Sequence, residues 1–303
     1  MHYALQFLLL VLVAVFAGIK VTLQGQMSRR FIRTLADTLW FNVLLFAVIA
    51  MMLAVVFPVG RLDGVILGFG VLVGCTTVLA QTFYALAFNA GPVSLTVLIA
   101  NFSILINTLF SAIVFKEKVY LSQICGIVFL VASMMLSTSP DHGDAKANRR
   151  WLIYSITVML AFGVGNSVQK LFWITESSKI PNSDVTLLIV MYVSAALIAL
   201  ALYAILAGKK QVSALGFQKP VMLFVLAIGA SLCLFQKTSM FALANVDGSF
   251  YFPTVSGLQS LWIAVIGIVM FHDKLSKRQR IGVACGILCV ALMNVRLGPS
   301  IQF

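Results

Sequence analysis

Two lysines stand where a chain of this composition has little room for charge. Lys20 and Lys237 interrupt long apolar runs, each roughly 7 Å from the centre of its run at about 1.5 Å per residue. A charge at the centre of a bilayer costs about 2.5–3.5 kcal/mol on insertion scales, so a retained ammonium faces a cavity or a partner. The alternative is snorkelling, in which the stem lies along apolar surface and the head reaches the interface. Snorkelling is the better account of Lys170, near the end of its run. Amides share the same runs: Gln24, Gln81, Asn101, Asn107, Asn166, Gln169, Gln236 and Gln259. A buried amide can simply join two helices, at about 0.6 kcal/mol each. As a group, amides and two ammonium groups without a buried acid fit a polar ligand bearing a carboxylate or phosphate. The candidate binding residues are therefore Lys20, Gln24, Gln81, Asn101, Lys237 and Gln259.

Other chemistry finds little support. The nine carboxylates (Asp37, Asp63, Glu117, Asp141, Asp144, Glu176, Asp184, Asp247 and Asp273) all fall in predicted loops or at predicted helix ends. His2, His142 and His272 are scattered over loops and termini, and no P-loop or nucleophile elbow is present. Cys285 and Cys289 share a helix face, but no His or acid joins them, so no metal site is expected. All five cysteines lie in apolar runs, where a free thiol behaves as a small hydrophobe. The reading is of a protein that is not an enzyme and needs no cofactor.

The elements that must position these residues follow from composition. Hydrophobic residues make up 61% of the 303 residues and charged residues 10%; soluble domains run at roughly 45–50% and about 25%. A crossing helix needs about 20 mostly apolar residues. Ten runs qualify, at 4–26, 38–57, 65–88, 92–115, 120–137, 151–173, 184–206, 220–244, 249–271 and 279–297. They lack the alternation of a membrane barrel. The first run has no basic n-region and is longer than a signal peptide's apolar stretch, so it reads as the first helix. The net charge of +12 sits mostly between runs, as orientation against anionic headgroups requires, so nucleic acid is not an expected partner.

The chain also repeats itself. Phe115-Lys116-Glu117-Lys118 and Phe271-His272-Asp273-Lys274 each close an apolar run, and each acid is followed by Gln (Gln123, Gln279) and then Gly (Gly126, Gly282) at the same spacing. Ala85-Leu86-Ala87 with Gly91 matches Ala242-Leu243-Ala244 with Gly248, and Gly18 with Gln24 matches Gly163 with Gln169. A polar linker at 138–150 then separates a five-helix repeat at 1–137 from a second at 151–303. An odd number of helices per unit makes the second half enter from the opposite face, an inverted repeat of the kind transporters use. Gly64/Gly68, Gly70/Gly74 and Gly282/Gly286 have helix-contact spacing. The loop cations are unequally divided. Arg61, Lys116, Lys118, Lys179 and Arg296 lie on the side of the termini, and the thirteen others between runs lie opposite, which favours termini on the outer side.

Gly91-Pro92-Val93-Ser94-Leu95, the run through Phe115-Lys116-Glu117, and Gln123-Ile124-Cys125-Gly126, with Asp273, Gln279 and Gly282 in the second half, resemble the drug/metabolite transporter superfamily, EamA type. The resemblance implies an all-α membrane protein of ten helices in two inverted repeats. It implies a central cavity lined mainly by the first, third, fourth, sixth, eighth and ninth spans, and transport by alternating access. It also implies cytoplasmic termini, against the charge count. Relatives carry amino acids, metabolites, sugar phosphates, nucleotide sugars or drugs. The small multidrug members use an intramembrane acid, which this chain lacks. The expectation is a multi-pass protein of the bacterial inner membrane, monomeric, whose partners are a small-molecule substrate and membrane lipid. An exporter of apolar drugs and a non-transporting scaffold or sensor are the rival readings.

Overall fold

The computed structural model describes residues 3–114, 119–137, 149–175, 181–208, 212–245, 276–294 and 298–301, and between 255 and 269 the helical residues Val255, Leu258, Gln259, Trp262, Ile266 and Val269. The helices are α1 (Tyr3–Phe31), α2 (Leu35–Val56), α3 (Gly64–Ala90), α4 (Val93–Asn101), α5 (Ser103–Val114), α6 (Leu121–Ser137), α7 (Arg149–Thr175), α8 (Ser183–Gly208), α9 (Lys219–Asn245) and α10 (Lys277–Asn294). Two-residue strands β1 (Val119–Tyr120) and β2 (Ser300–Ile301) pair antiparallel, tying the end of the chain to the start of α6. Residues 138–148 of the predicted linker, and both copies of the repeated Phe-x-acid phrase, lie outside the described residues. Arg149 and Arg150, placed in that linker by sequence, open α7 instead.

Among the described residues six helices, α1, α2, α3, α7, α8 and α9, are long and apolar enough to cross a membrane. The chain is thus a helical, multi-pass membrane protein, with fewer clear spans here than the ten apolar runs. The fourth run is not one helix. It breaks at Phe102, whose N–H bonds to the Ile99 carbonyl 3.1 Å away and whose own carbonyl accepts from Leu105 N–H at 3.0 Å. These i to i−3 bonds form a tight turn between α4 and α5 that neither Gly nor Pro announces.

The helix ends have local causes. Thr34 caps α2 by accepting from Asp37 N–H at 3.1 Å, while the Asp37 carboxylate accepts from Thr34 N–H at 3.0 Å, a reciprocal capping box. Asp63 caps α3 through Gly64 N–H at 2.7 Å. The described carboxylates Asp37, Asp63 and Asp184 all stand at helix starts, where the helix dipole favours negative charge.

Contacts set the direction of each helix. Gln24 meets Gln81 and Ser28 meets Ala85, so α1 runs parallel to α3. Phe69 packs on Phe172 and Tyr84 on Phe162, so α7 runs antiparallel to α3. A Cβ at Gly70 would meet Val190 and one at Gly74 would meet Ser194 and Ala195, so α8 is parallel to α3. Trp40 meets Tyr203 near one end of α2, and Gly60, just beyond its other end, meets Thr186, so α2 and α8 are antiparallel. The largest core cluster lies along α2, α8 and α9, with Phe41, Phe46, Leu45, Ile49, Leu53, Leu188, Met191, Val225 and Ile228 among its buried members. Lipid is as apolar as these side chains, so close van der Waals fit holds them together.

Small residues permit that fit. At Gly74 a Cβ would stand 2.1 Å from Ser194 Oγ and 2.9 Å from the Met191 carbonyl oxygen, so α3 can meet α8 this closely only without one. Gly64 and Gly68 have the same spacing but meet no atom within 4 Å.

Candidate functional site

The polar groups of the bilayer region gather along the seam between α1 and α3. On α1, Gln24 and Ser28 are four residues apart and share a face; on α3, Gln81, Ala85 and Asn89 do the same. Parallel packing brings the two rows together as a ladder. Gln24 Nε2 donates to Gln81 Oε1. One turn on, Ser28 Oγ donates to the Ala85 carbonyl at 2.8 Å and lies 3.3 Å from Asn89 Oδ1. Asn89 Nδ2 donates to the Ile32 carbonyl at 3.1 Å. Thr82, beside Gln81, turns to the other side of α3 and accepts from Asn42 Nδ2 of α2 at 3.0 Å.

This ladder is buried but incompletely satisfied. Gln24 is 1% exposed and Gln81 7%. Gln24 Oε1 and Asn42 Oδ1 are buried and, among the described residues, have no hydrogen-bond partner. Leaving a buried polar atom unpaired costs about 1–3 kcal/mol, so such atoms are explained by water or a ligand. Lys20 lies one turn before Gln24 on the same face, half-buried, with no ion pair among the described residues. Below it, Trp262 stacks so closely on α1 that a Cβ at Gly18 would lie 2.3 Å from its indole ring. Its Nε1, a donor, is also buried and without a partner among the described residues.

Apolar walls complete the surroundings. Val21, Tyr84, Phe88, Val93, Val97, Ala100 and Val158 form one buried cluster, with Phe83, Phe162 and Trp262 packed against it. These residues come from α1, α3, α4, α7 and the helical segment around Trp262. Tyr84 and Phe88 rings are 4.3 Å apart, centroid to centroid. The seam thus offers an ammonium and an amide oxygen one turn apart on α1, with an indole N–H against the neighbouring Gly18 and aromatic surface beside them. It can orient a polar molecule, and it contains no nucleophile paired with a base.

The sequence-predicted residues divide. Lys20, Gln24 and Gln81 come together. Gln259 is half-buried and one turn from Trp262, on the same helix face. Asn101 is half-buried at the end of α4, beside the Phe102 break. Lys237 lies apart from these residues: its side chain is exposed on α9, and its Nζ lies 4.5 Å from the centroid of the Phe57 ring just past the end of α2. The face of α9 that packs inward carries Ile228, Leu232 and Ser239 instead. Ser28, Asn42, Thr82 and Asn89 were missed. The four-residue spacing of Gln24 with Ser28, and the eight-residue, two-turn spacing of Gln81 with Asn89, was the signal available.

Residues 5–139 match the EamA-like transporter family. No curated protein matches the sequence significantly. A solved crystal structure of an otherwise undescribed protein superposes on 93% of this chain and 95% of its own, with a TM-score of 0.58 and 16% identity, a likeness of fold. With six described helices long and apolar enough to cross a membrane, the chain is a multi-pass membrane protein whose residues 5–139 are similar to the EamA-like transporter family of the drug/metabolite transporter superfamily.

Proposed function

We propose that this protein is a secondary transporter that moves a small polar organic solute bearing a carboxylate or phosphate, such as an amino acid or a phosphorylated metabolite, across the bacterial inner membrane. The observation that carries this reading is the buried, unpartnered Gln24 Oε1, one turn from the half-buried Lys20. An ammonium and the Trp262 N–H suit an anionic group, and the Gln24 oxygen suits a donor elsewhere on the solute. Gln81 would hold Gln24 in position, with Asn101 and Gln259 completing the polar lining. Lys237 is better read as an anchor at the lipid face, where snorkelling and the Phe57 ring stabilise it.

Alternating access by two inverted five-helix halves is the proposed mechanism. Helix directions support it: α1 runs with α3, α3 runs against α7, and so α1 and α7 run oppositely. The packing pairs also exchange when α1, α2 and α3 are replaced by α7, α8 and α9: α3–α7 becomes α9–α1, α3–α8 becomes α9–α2, and α2–α8 maps onto itself. A two-fold axis in the membrane plane has that consequence. The solute would bind midway and be exposed to each side in turn.

Thermal-shift screening of the purified protein against amino acids, organic acids and phosphorylated metabolites tests the reading, since a ligand of the folded state raises its melting temperature. The expected result is a shift with an anionic solute that Lys20→Gln abolishes. Flux of every carboxylate and phosphate substrate unchanged in Lys20→Gln proteoliposomes would overturn it. The exposed Lys237 gives one observation in favour of a rival, export of apolar drugs with structural lysines. That rival predicts shifts with neutral apolar compounds, indifferent to Lys20.

A further inference from the structure

We infer that the two ends of the α2–α8 pair act differently: the Asp37 end is a fixed hinge, and the Gly60 end is where the pair opens. The inference rests on the rocking mechanism proposed above. It starts from Asp37, a carboxylate only 3% exposed that ties three segments of chain together. Its Oδ2 accepts from Arg33 N–H at 3.1 Å and Thr34 N–H at 3.0 Å. Its Oδ1 accepts from Ser213 Oγ at 2.8 Å and Ala214 N–H at 3.1 Å. One side chain therefore fastens the α1–α2 turn to the connection between α8 and α9.

Aromatic packing seals this end. Trp40 Nε1 donates to the Gly216 carbonyl at 3.0 Å. Its ring stands 5.1 Å from Tyr203 and 5.6 Å from Phe217, centroid to centroid. Tyr203 Oη accepts from Ser213 N–H at 3.3 Å, closing the knot back onto α8. Bonds to an ionised acceptor are roughly twice as strong as neutral ones, and the first turn of α2 is buried throughout, from Ala36 to Leu39.

At the other end the hydrogen bond that joins the pair is between neutral groups. Gly60 N–H donates to Thr186 Oγ1 at 2.9 Å. The last turn of α2 faces outward, with Val55 80% and Val56 63% exposed, and Val59 and Leu62 beyond it are exposed too. A rocking pair pivots where its contacts are strong and parts where they are few and weak, since hinges absorb motion at a few residues while packed regions move as units.

Nitroxide pairs distinguish the ends without needing the solute. In the full-length protein with its five cysteines replaced by alanine, Leu35→Cys with Val212→Cys reports the Asp37 end, and Val59→Cys with Pro181→Cys the Gly60 end. All four positions are exposed. Distances are read by double electron–electron resonance in lipid nanodiscs. The expected result is one narrow distance at the Asp37 end and two populations at the Gly60 end, differing by about 5 Å, one helical turn. Adding Asp37→Asn should split the first pair as well. Two populations at the Asp37 end, with or without two at the other, overturn the hinge and leave rocking intact. One narrow distance at both ends overturns the hinge and the rocking mechanism together.

Discussion

Two helix seams, a short one between α1 and α3 and a long one between α2 and α8, run through this molecule and are built from opposite materials. Between α1 and α3, side chains meet through amides and a hydroxyl: Gln24 with Gln81, Ser28 with Ala85 and Asn89. Between α2 and α8 they meet through Phe46, Ile49, Leu53, Leu188, Tyr192 and Ala195, dry and close-packed. Interhelical hydrogen bonds in a membrane average only about 0.6 kcal/mol, so the polar seam adds little to the stability of the frame. Its unpaired Gln24 Oε1 even subtracts from it. The difference teaches that the dry seams hold the frame, and that the polar seam, the proposed binding site, contributes little to it.

The largest expected effect lies in the dry frame. Gly74→Val would drive a side chain into Ser194 Oγ and against the Met191 carbonyl, backbone that cannot turn aside. Overpacking of this kind costs about 3 kcal/mol, and the variant should lose its monodisperse peak in size-exclusion chromatography or melt far below the parent. A parental melting temperature would remove the frame role from this seam. Asp37→Ala comes next. It strips the acceptor from Ser213 Oγ and the Arg33, Thr34 and Ala214 amides, at about 2 kcal/mol, and hydrogen exchange at 212–218 should rise.

In the wet seam the ordering of stability and function reverses. Gln24→Leu removes an unsatisfied oxygen but also the donor to Gln81 Oε1, two opposing effects, so the melting temperature should change little. Flux of the solute found by thermal-shift screening should fall about tenfold, the equivalent of one lost ligand bond of about 1.4 kcal/mol. A variant that melts lower yet transports normally would make the ladder structural and erase the contrast. The smallest effect belongs to Lys237→Gln. An exposed cation–π contact contributes about 0.5–1 kcal/mol, and flux should change less than about twofold, since 0.4 kcal/mol or so corresponds to that ratio. A large loss would return Lys237 to the binding site.

Much of this was readable in the residues. The crossing helices are visible as apolar runs because each helix satisfies its own backbone hydrogen bonds and needs no neighbour to do so. Lys20, Gln24 and Gln81 were legible as polar residues inside such runs. The turn at Phe102 was not, because Ile99, Phe102 and Leu105 are all residues that continue a helix, and the tight bonds there arise from packing. Nor did spacing separate the contact glycines, Gly70 and Gly74, from Gly64 and Gly68, which meet open space.

The sequence by itself determined that the chain crosses a membrane several times and that the charges inside its apolar runs are lysines, with amides near them and acids only at the ends. It could do so because insertion depends on the composition of each segment taken alone. Only the tertiary structure decided which way those groups face. Lys20 and Lys237 are the same residue at similar depth in similar runs, yet one lies half-buried by the polar seam and the other is exposed on α9 beside Phe57. Rotation of a helix about its axis is set by the neighbours it packs against, and no single run carries that information.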